Sequence, residues 1–465
     1  MRPLRVLFVS GEFPPMQGGV GDYTALLLRA LMKLGDTASV GPVLPRKDVR
    51  PGAGGEPLSH KLSHLHQHHG LTCDVVTTAN RGVPATSTVF PIVPRWDLHD
   101  WPTLAGLIRA RQPDILHIQY QTAAYGMRPL VNLLPLLLRA THSRVRVVTT
   151  YHDLRVPFLF PKAGPVRGWA NWLLAAGSHA LIATNDEDLV RLSGQGRSKT
   201  SYANDHAPGS VRLGRARDSR GRDARAPRHP ASSSRTVLIP IGSNIPVSPP
   251  RAYAREAWRA RLGVKEDQSL LSFFGLLNHS KGLDTLFSAI SGLPPEYPVR
   301  LIMIGGTAGD SDRTNIEYRQ RMLDLCHTLG LDERVIWTGY TNPAEVSGHL
   351  LASDIGVLPF RDGASFRRGS LLAALSHSLP VVTTTHRTGH PLGAGPAQLR
   401  HQENCLLVSP DDPEATRAAI VRLSESRDLR HKLSRGASAL AQSLTWEKIA
   451  AETIKLYESL AISDQ

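Results

Sequence analysis

Short apolar runs recur along the whole chain and are separated by stretches with helical spacing. The runs are continuous rather than alternating, which is typical of strands that are buried on both faces of a parallel sheet. They fall at 4–9, 74–78, 115–118, 145–149, 181–184, 237–241, 270–274, 301–304, 335–337, 355–358, 381–384 and 406–408. This pattern predicts an α/β protein with two doubly wound, Rossmann-like parallel-sheet domains.

Two irregular segments interrupt this pattern. Residues 41–70 contain five histidines without accompanying Asp or Cys at metal-ligand spacing, so a surface loop is favoured over a metal site. Residues 197–235 contain ten Lys or Arg against three Asp, which is half of the chain's net charge of +14. This segment has few large apolar residues, and we expect a disordered, Arg-rich insert. A solvated loop is the favoured interpretation of it, and contact with an anionic membrane surface is the alternative.

Composition excludes several classes of protein. No apolar run approaches the length needed to span a bilayer, and the first residues read as a strand rather than a signal peptide. We therefore expect a cytoplasmic protein, with peripheral contact at the inner face of the membrane as the alternative raised by the basic insert. Three scattered cysteines predict no disulfide framework and no zinc site. Nucleic acid is not an expected partner, because no aromatic residue except Tyr202 interleaves the arginines.

Two glycine-containing loops connect a predicted strand to a predicted helix. Gly18, Gly19 and Gly21 follow the first strand, where backbone N–H groups and the helix dipole favour an anion. The alternative is a tight turn alone, since neither a dinucleotide fingerprint nor a P-loop is present. In the second half, Gly275 and Lys281 repeat the arrangement and add a positive charge suited to a diphosphate.

The motifs together resemble glycosyltransferase family 4, whose members have the GT-B fold of two facing Rossmann-like domains. The resemblance rests on EFPPMQGGVGDY, DILHIQYQ, TTYHDLRVP, IPIGSNI, FGLLNHSKGLDTL, LIMIGG, VIWTGY and ASDIGVLPFRDG, in that order. It implies an acceptor-side domain at 1–196, the insert at 197–235, a nucleotide-sugar domain at 236–445 and a C-terminal helix at 446–465 that crosses back to the first domain.

The resemblance also implies an activity, which is transfer of a sugar from a nucleotide diphosphate sugar to a hydroxyl acceptor with retention of anomeric configuration. The nucleotide sugar is the only co-substrate expected, with no cofactor and no metal, and the acceptor is an unidentified sugar, lipid or small molecule. The predicted catalytic groups are His152, Lys281 and Arg368. The predicted donor-binding residues are Gly18, Gly19, Gly275, Lys281, Gly339, Tyr340, Asp362, Ser365, Arg367 and Arg368.

The chain departs from the family pattern at the donor site. Leu276 stands where members commonly have Arg, and Ser365 and Ala373 stand where they commonly have glutamates. We hypothesise that Arg367 or Arg368 supplies the missing positive charge, since an Arg fork can hold two phosphate oxygens. The alternative is a charged loop without a ligand. These departures also leave open the alternative that the protein is a catalytically inactive relative of the family and serves as a binding module.

Overall fold

The structure is a computed structural model of the chain. It describes residues 3–16, 18–37, 70–80, 82–141, 144–154, 164–193, 235–306, 313–386, 393–394 and 397–461. The His-containing segment 41–70 and the Arg-rich insert 197–235 lie outside the described residues except for their last positions. Contacts divide the chain into two compact units. The first comprises Met1–Thr24, Gly35–Leu238 and Leu456–Gln465, and the second comprises Ala25–Leu34 and Ile239–Lys455.

The first unit is built on a seven-stranded parallel sheet with the order β3-β2-β1-β4-β5-β6-β7. Its strands are β1 Leu4–Ser10, β2 Leu71–Thr78, β3 Val89–Val93, β4 Ile115–Tyr120, β5 Arg146–Tyr151, β6 Ala180–Ala183 and β7 Arg235–Leu238. From β1 the chain adds β2 and β3 toward one edge of the sheet, and from β4 it adds β5, β6 and β7 toward the other edge. This reversal between two neighbouring strands opens a crevice at their carboxyl ends, where ligands of doubly wound sheets bind.

Strand β3 was missed by the sequence pattern because Pro91 interrupts its short apolar run. Proline lacks a backbone donor, so it is tolerated in strands at the edge of a sheet rather than at the centre. The structure places β3 at the edge, next to β2 alone.

Helices connect the strands of the first unit. They are α1 Gly19–Thr37, of which Ala25–Leu34 is counted with the second unit, α2 Trp101–Arg111, α3 Leu130–Thr141, α4 Gly164–Gly177 and α5 Asp186–Ser193. Helix α3 is strongly apolar, and it packs on α4 with Leu130, Leu134 and Leu138 buried. None of the helices in the described part of the chain is long and apolar enough to cross a membrane.

The second unit contains a six-stranded parallel sheet with the order β10-β9-β8-β11-β12-β15. Its strands are β8 Ser269–Phe274, β9 Val299–Ile304, β10 Val335–Trp337, β11 Ile355–Leu358, β12 Val381–Thr384 and β15 Leu406–Val408, and a separate two-stranded ribbon pairs β13 Gly393–Ala394 with β14 Ala397–Gln398. Here the reversal lies between β8 and β11. The loops after these two strands therefore meet at one edge of the sheet.

The helices of the second unit follow the same alternation. They are α6 Arg255–Arg261, α7 Leu283–Ser291, α8 Arg313–Thr328, α9 Pro343–Ala352, α10 Gly369–Ser376, α11 Pro413–Glu425 and α12 Arg427–Gln442, followed by α13 Trp446–Ala461. Capping residues stabilise the ends of these helices. At α9, for example, Asn342 and Glu345 form a reciprocal capping box and Pro343 occupies the first turn. The predicted doubly wound α/β architecture is confirmed in both units.

A buried histidine links α13 to the first sheet. The hydroxyl of Tyr457 lies 2.5 Å from Nδ1 of His117, and Oγ1 of Thr150 lies 2.7 Å from Nε2 of the same ring. Burial, with a smaller contribution from His152, lowers the pKa of His117 to about 3, so the ring is neutral at pH 7. Both ring nitrogens thus have a partner despite complete burial.

Replacing Tyr457 with phenylalanine removes one of these partners without changing the packing of the ring. We expect Tyr457→Phe to lower the free energy of unfolding by about 1–3 kcal/mol, because one buried ring nitrogen is left unsatisfied. Urea unfolding followed by circular dichroism measures this. The matched control is Tyr340→Phe, since Tyr340 is 81% exposed and its hydroxyl can bond to water. Equal unfolding midpoints for the two variants would contradict the assignment.

Candidate functional site

Residues at the carboxyl ends of β1, β4 and β5 form a candidate site in the first unit. After β1 the chain passes Gly11, where a Cβ atom would lie 2.1 Å from the carbonyl oxygen of Ala124. Only glycine permits this approach between two backbones. It fixes the start of the loop that leads to α1.

The glycines at the start of α1 surround the carboxyl group of Glu12. A Cβ on Gly18 would lie 1.9 Å from Oε2 of Glu12, and the backbone N–H of Gly21 donates to this carboxyl group. A helix N-terminus stabilises a negative charge, and here the chain supplies one itself. Burial nevertheless raises the pKa of Glu12, and the nearby Asp22 raises it further, while the Gly21 hydrogen bond opposes the shift.

Gly19 differs from these glycines, because no atom lies within 4 Å of the position that its Cβ would occupy. The glycine at 18 therefore serves the packing around Glu12, whereas position 19 borders open space. A phosphate contact at Gly18 and Gly19 stays a prediction. The role of Glu12 was missed at the sequence level, because nothing in its local pattern shows that its side chain folds back onto the loop.

His152 follows β5 directly. Its Nε2 atom lies 2.9 Å from Oε1 of Gln119 on β4, and its ring packs edge-on against Tyr23 with the ring centroids 4.6 Å apart. Burial lowers the pKa of His152 to about 3. The imidazole is therefore neutral at pH 7 and acts as a hydrogen-bonding group rather than a cation.

The second unit has a candidate site of its own, where glycines with positive φ follow its strands. Gly275 follows β8 with φ +131°, and Gly339 lies two residues after β10 with φ +65°. Gly282 has φ +66°, and a Cβ there would lie 2.0 Å from the carbonyl oxygen of Pro359. This contact holds the loop of Lys281 against the loop that follows β11.

The cationic side chains of Lys281 and Arg368 lie close together where these two loops touch. Nζ of Lys281 donates to Oγ of Ser370 at 3.3 Å, and Nη1 of Arg368 donates to Oγ of Ser280 at 3.2 Å. Both cations lie over the ring of Phe360, with Nζ 5.1 Å and the guanidinium carbon 4.7 Å from its centroid. Gly275 lies beside them, since a Cβ there would be 3.3 Å from Nζ of Lys281.

Asp362 balances one of the two positive charges by forming an ion pair with Arg368. Burial, with a smaller contribution from repulsion by Arg368, lowers the pKa of Lys281 to about 8, while the Asp362 carboxylate opposes this shift. The cluster of Lys281, Arg368 and Asp362 therefore carries a net positive charge that costs free energy in the empty protein. An anion bound beside it would relieve this repulsion.

The structure thus brings Gly275, Lys281, Asp362 and Arg368 together, as the sequence suggested for a single site. Ser365 contributes its backbone carbonyl, which accepts from the Arg368 N–H at 3.0 Å. The serines that contact the two cations, Ser280 and Ser370, were missed. Their positions along the chain provide a signal, since Ser280 directly precedes Lys281 and Ser370 directly follows Gly369.

Gly339 and Tyr340 line a pocket of the second unit with a volume of about 230 Å³. Its walls combine glycine backbone, apolar side chains and one guanidinium, and they consist of Leu277, Gly305, Gly306, Arg319, Leu323, Trp337, Gly339 and Tyr340. A pocket of this kind fits a flat group with some polar atoms. Leu276, which stands where the resemblance to glycosyltransferase family 4 predicts an arginine, is 52% exposed.

No group of three or more His, Cys, Asp or Glu side chains that could hold a metal ion occurs within the described ranges. The Asp-containing segment 309–312 is not among those ranges. Absence of a metal requirement stays a prediction.

The chain matches the profiles of two protein families. The profile of the family described as glycosyl transferases group 1 matches residues 268–426, and that of the glycosyl transferase 4-like domain matches residues 18–201. Together the two ranges cover most of the chain and include His152, Lys281 and Arg368. The chain belongs to the family 4, group 1 glycosyltransferases. Solved structures support its fold at low sequence identity.

Two solved structures illustrate the likeness. Sucrose-phosphate synthase from Thermosynechococcus elongatus is 18% identical, with 99% of this chain and all of that chain covered and a TM-score of 0.64. Anabaena HepE in complex with UDP and glucose is 16% identical, with 98% of this chain and all of that chain covered and a TM-score of 0.62. These likenesses confirm the GT-B fold.

Curated relatives match over a shorter range. A D-inositol 3-phosphate glycosyltransferase from Corynebacterium urealyticum is 27% identical over 231 residues, which are 49% of this chain and 52% of the relative. One of the same name from a Nocardioides species is 29% identical over 240 residues, 49% of each chain. The chain therefore spans about half the length of the curated relatives it matches.

Proposed function

We propose that this protein transfers a sugar from a nucleotide diphosphate sugar to a hydroxyl acceptor and retains the anomeric configuration. The observation that carries the proposal is the pair of cations at Lys281 and Arg368. They share the ring of Phe360 and have one carboxylate between them. Two adjacent positive charges at the carboxyl ends of parallel strands suit a diphosphate.

In this proposal the cluster acts on the leaving group. As the bond between the sugar's anomeric carbon and the phosphate oxygen breaks, negative charge grows on the diphosphate. Lys281 and Arg368 stabilise that charge more strongly than they stabilise the bound donor, which is how electrostatic catalysis lowers a barrier. The acceptor oxygen bonds to the anomeric carbon on the same face, and its proton passes to the departing diphosphate oxygen. The proposal needs no metal and no further cofactor.

The remaining candidate residues position the donor. We assign the nucleotide base to the pocket at Gly339 and Tyr340, where backbone and apolar walls suit a flat ring. His152 contacts the transferred sugar through a neutral imidazole, and Gly18 and Gly19 approach the diphosphate. Structures of the similar HepE protein contain UDP and UDP-glucose, so uridine donors are the first to test.

Release of the nucleoside diphosphate tests the proposal. UDP, GDP and ADP sugars are each incubated with the full chain and a panel of acceptors, and the panel includes D-inositol 3-phosphate because several relatives are named for it. We expect one donor class to release its nucleotide faster with an acceptor than without one. Nucleotide binding without any release would indicate an inactive relative that serves as a binding module.

Affinity for the nucleoside diphosphate is expected to depend on pH through Lys281. The pKa of Lys281 in the free protein is lowered to about 8, and the negative charge of a bound diphosphate raises it, so binding favours the protonated form. Affinity should therefore be constant below about pH 7 to 8 and fall above it, by up to about tenfold per pH unit. Isothermal titration calorimetry from pH 7 to 10 measures this fall.

The matched control is Lys281→Arg, which keeps a positive charge throughout this range because a guanidinium does not deprotonate. Its nucleotide affinity should vary little with pH. A fall of the same size in both proteins would assign the titration to another group.

A further inference from the structure

Gln119 is a buried side chain in contact with His152. It lies on β4 between Ser10 of β1 and Thr150 of β5 in the register of the sheet, and it is fully buried. Its Oε1 atom lies 2.9 Å from Nε2 of His152. Its own Nε2 atom is buried without a hydrogen-bond partner among the described residues.

This contact determines which nitrogen of His152 carries the proton. An amide oxygen only accepts hydrogen bonds, so Nε2 of the imidazole must be the donor. Since the neutral ring has a single N–H, Nδ1 then carries the lone pair. Within the described part of the chain, Nδ1 makes no hydrogen bond of its own. Its lone pair can accept a hydrogen bond from a ligand.

We propose that Gln119 is a positioning residue that holds His152 in the Nε2–H tautomer, so that Nδ1 accepts a hydrogen bond from a hydroxyl group of the substrate. The proposal rests on the proposed function, because a sugar supplies the hydroxyl. It deepens that function by naming the chemistry of the contact: the ligand group must be a donor. A carbonyl or ether oxygen at the same place would meet the lone pair of Nδ1 and be rejected.

Nitrogen-15 NMR of histidine side chains tests the tautomer directly, with the His152→Asn variant identifying the signals. In the wild type we expect a protonated Nε2 and an unprotonated Nδ1 at pH 7. In Gln119→Met, which keeps the size but lacks the amide, we expect a mixture of both tautomers. We also expect kcat to fall about tenfold with little change in KM, because orientation matters mainly in the transition state.

Gln119→Glu provides a conservative rescue. Its carboxylate accepts from the same N–H, so the tautomer and most of kcat should return, and the pKa of His152 should rise beside the negative charge. The control Thr77→Val alters another buried polar residue of the same sheet and should leave the His152 signals unchanged.

A protonated Nδ1 in the wild type, or unchanged tautomer signals in Gln119→Met, would overturn the proposal. The tautomer measurement needs no turnover, so it decides the role of Gln119 even where no donor is found to react. Failure of the proposed function is seen separately, as absence of nucleotide release in the wild type.

Discussion

Replacing Lys281 with alanine is expected to reduce kcat/KM for sugar transfer by about a hundredfold to a thousandfold. The ammonium group is held between Ser370 and the ring of Phe360, in a site where burial strengthens electrostatic interactions. Its loss removes a charge that matters most when the diphosphate departs. Steady-state kinetics with the donor identified by nucleotide release measure this change.

Two variants control for this effect. Lys281→Arg keeps the charge and should retain more activity than Lys281→Ala. Lys265→Ala removes an exposed lysine of the same unit and should leave kcat/KM unchanged. Similar kinetics in Lys281→Ala and Lys265→Ala would show that Lys281 has no part in the reaction.

Arg368→Ala is expected to reduce kcat/KM about a hundredfold, close to the effect at Lys281. Arg368 lies over the same ring as Lys281, bonds to Ser280 and pairs with Asp362, which places its guanidinium in the cation cluster. A guanidinium can hold two phosphate oxygens, so its loss weakens donor binding as well as turnover. Kinetics and calorimetry with the nucleoside diphosphate measure the two parts.

The exposed Arg435 provides the control for this substitution, and Arg435→Ala should behave as the wild type. Arg367→Ala should have a smaller effect than Arg368→Ala, because Arg368 is the residue that shares the ring of Phe360 with Lys281. Leu276 stands where family members commonly have a positively charged arginine. Full activity and full nucleotide affinity in Arg368→Ala would mean that a residue other than Arg368 supplies this charge.

The arrangement of the sheets could be predicted from the sequence because it depends on local patterns. Continuous apolar runs identify strands buried on both faces, and the predicted runs 335–337 and 355–358 coincide with β10 and β11. Glycines after strands mark the loops at the carboxyl ends. The positions of Gly275 and Lys281 near a shared edge followed from this rule alone.

Contacts between distant residues could not be predicted in this way. Arg368 bonds to Ser280 across 88 positions of sequence, and Gln119 meets His152 across 33. Such pairs depend on strand order and side-chain direction, which no local period encodes. The contact of Glu12 with Gly18 spans only six residues, yet it was missed because it depends on how the loop folds back.

The configuration of the first-formed product tests the central claim most directly. Proton NMR follows the anomeric signals of the active donor and of the sugar transferred to its acceptor, or to water before mutarotation. We predict release of the nucleoside diphosphate together with a new glycosidic bond of the same anomeric configuration as the donor. An inverted product, or tightly bound nucleotide without any new bond, would contradict a retaining glycosyltransferase.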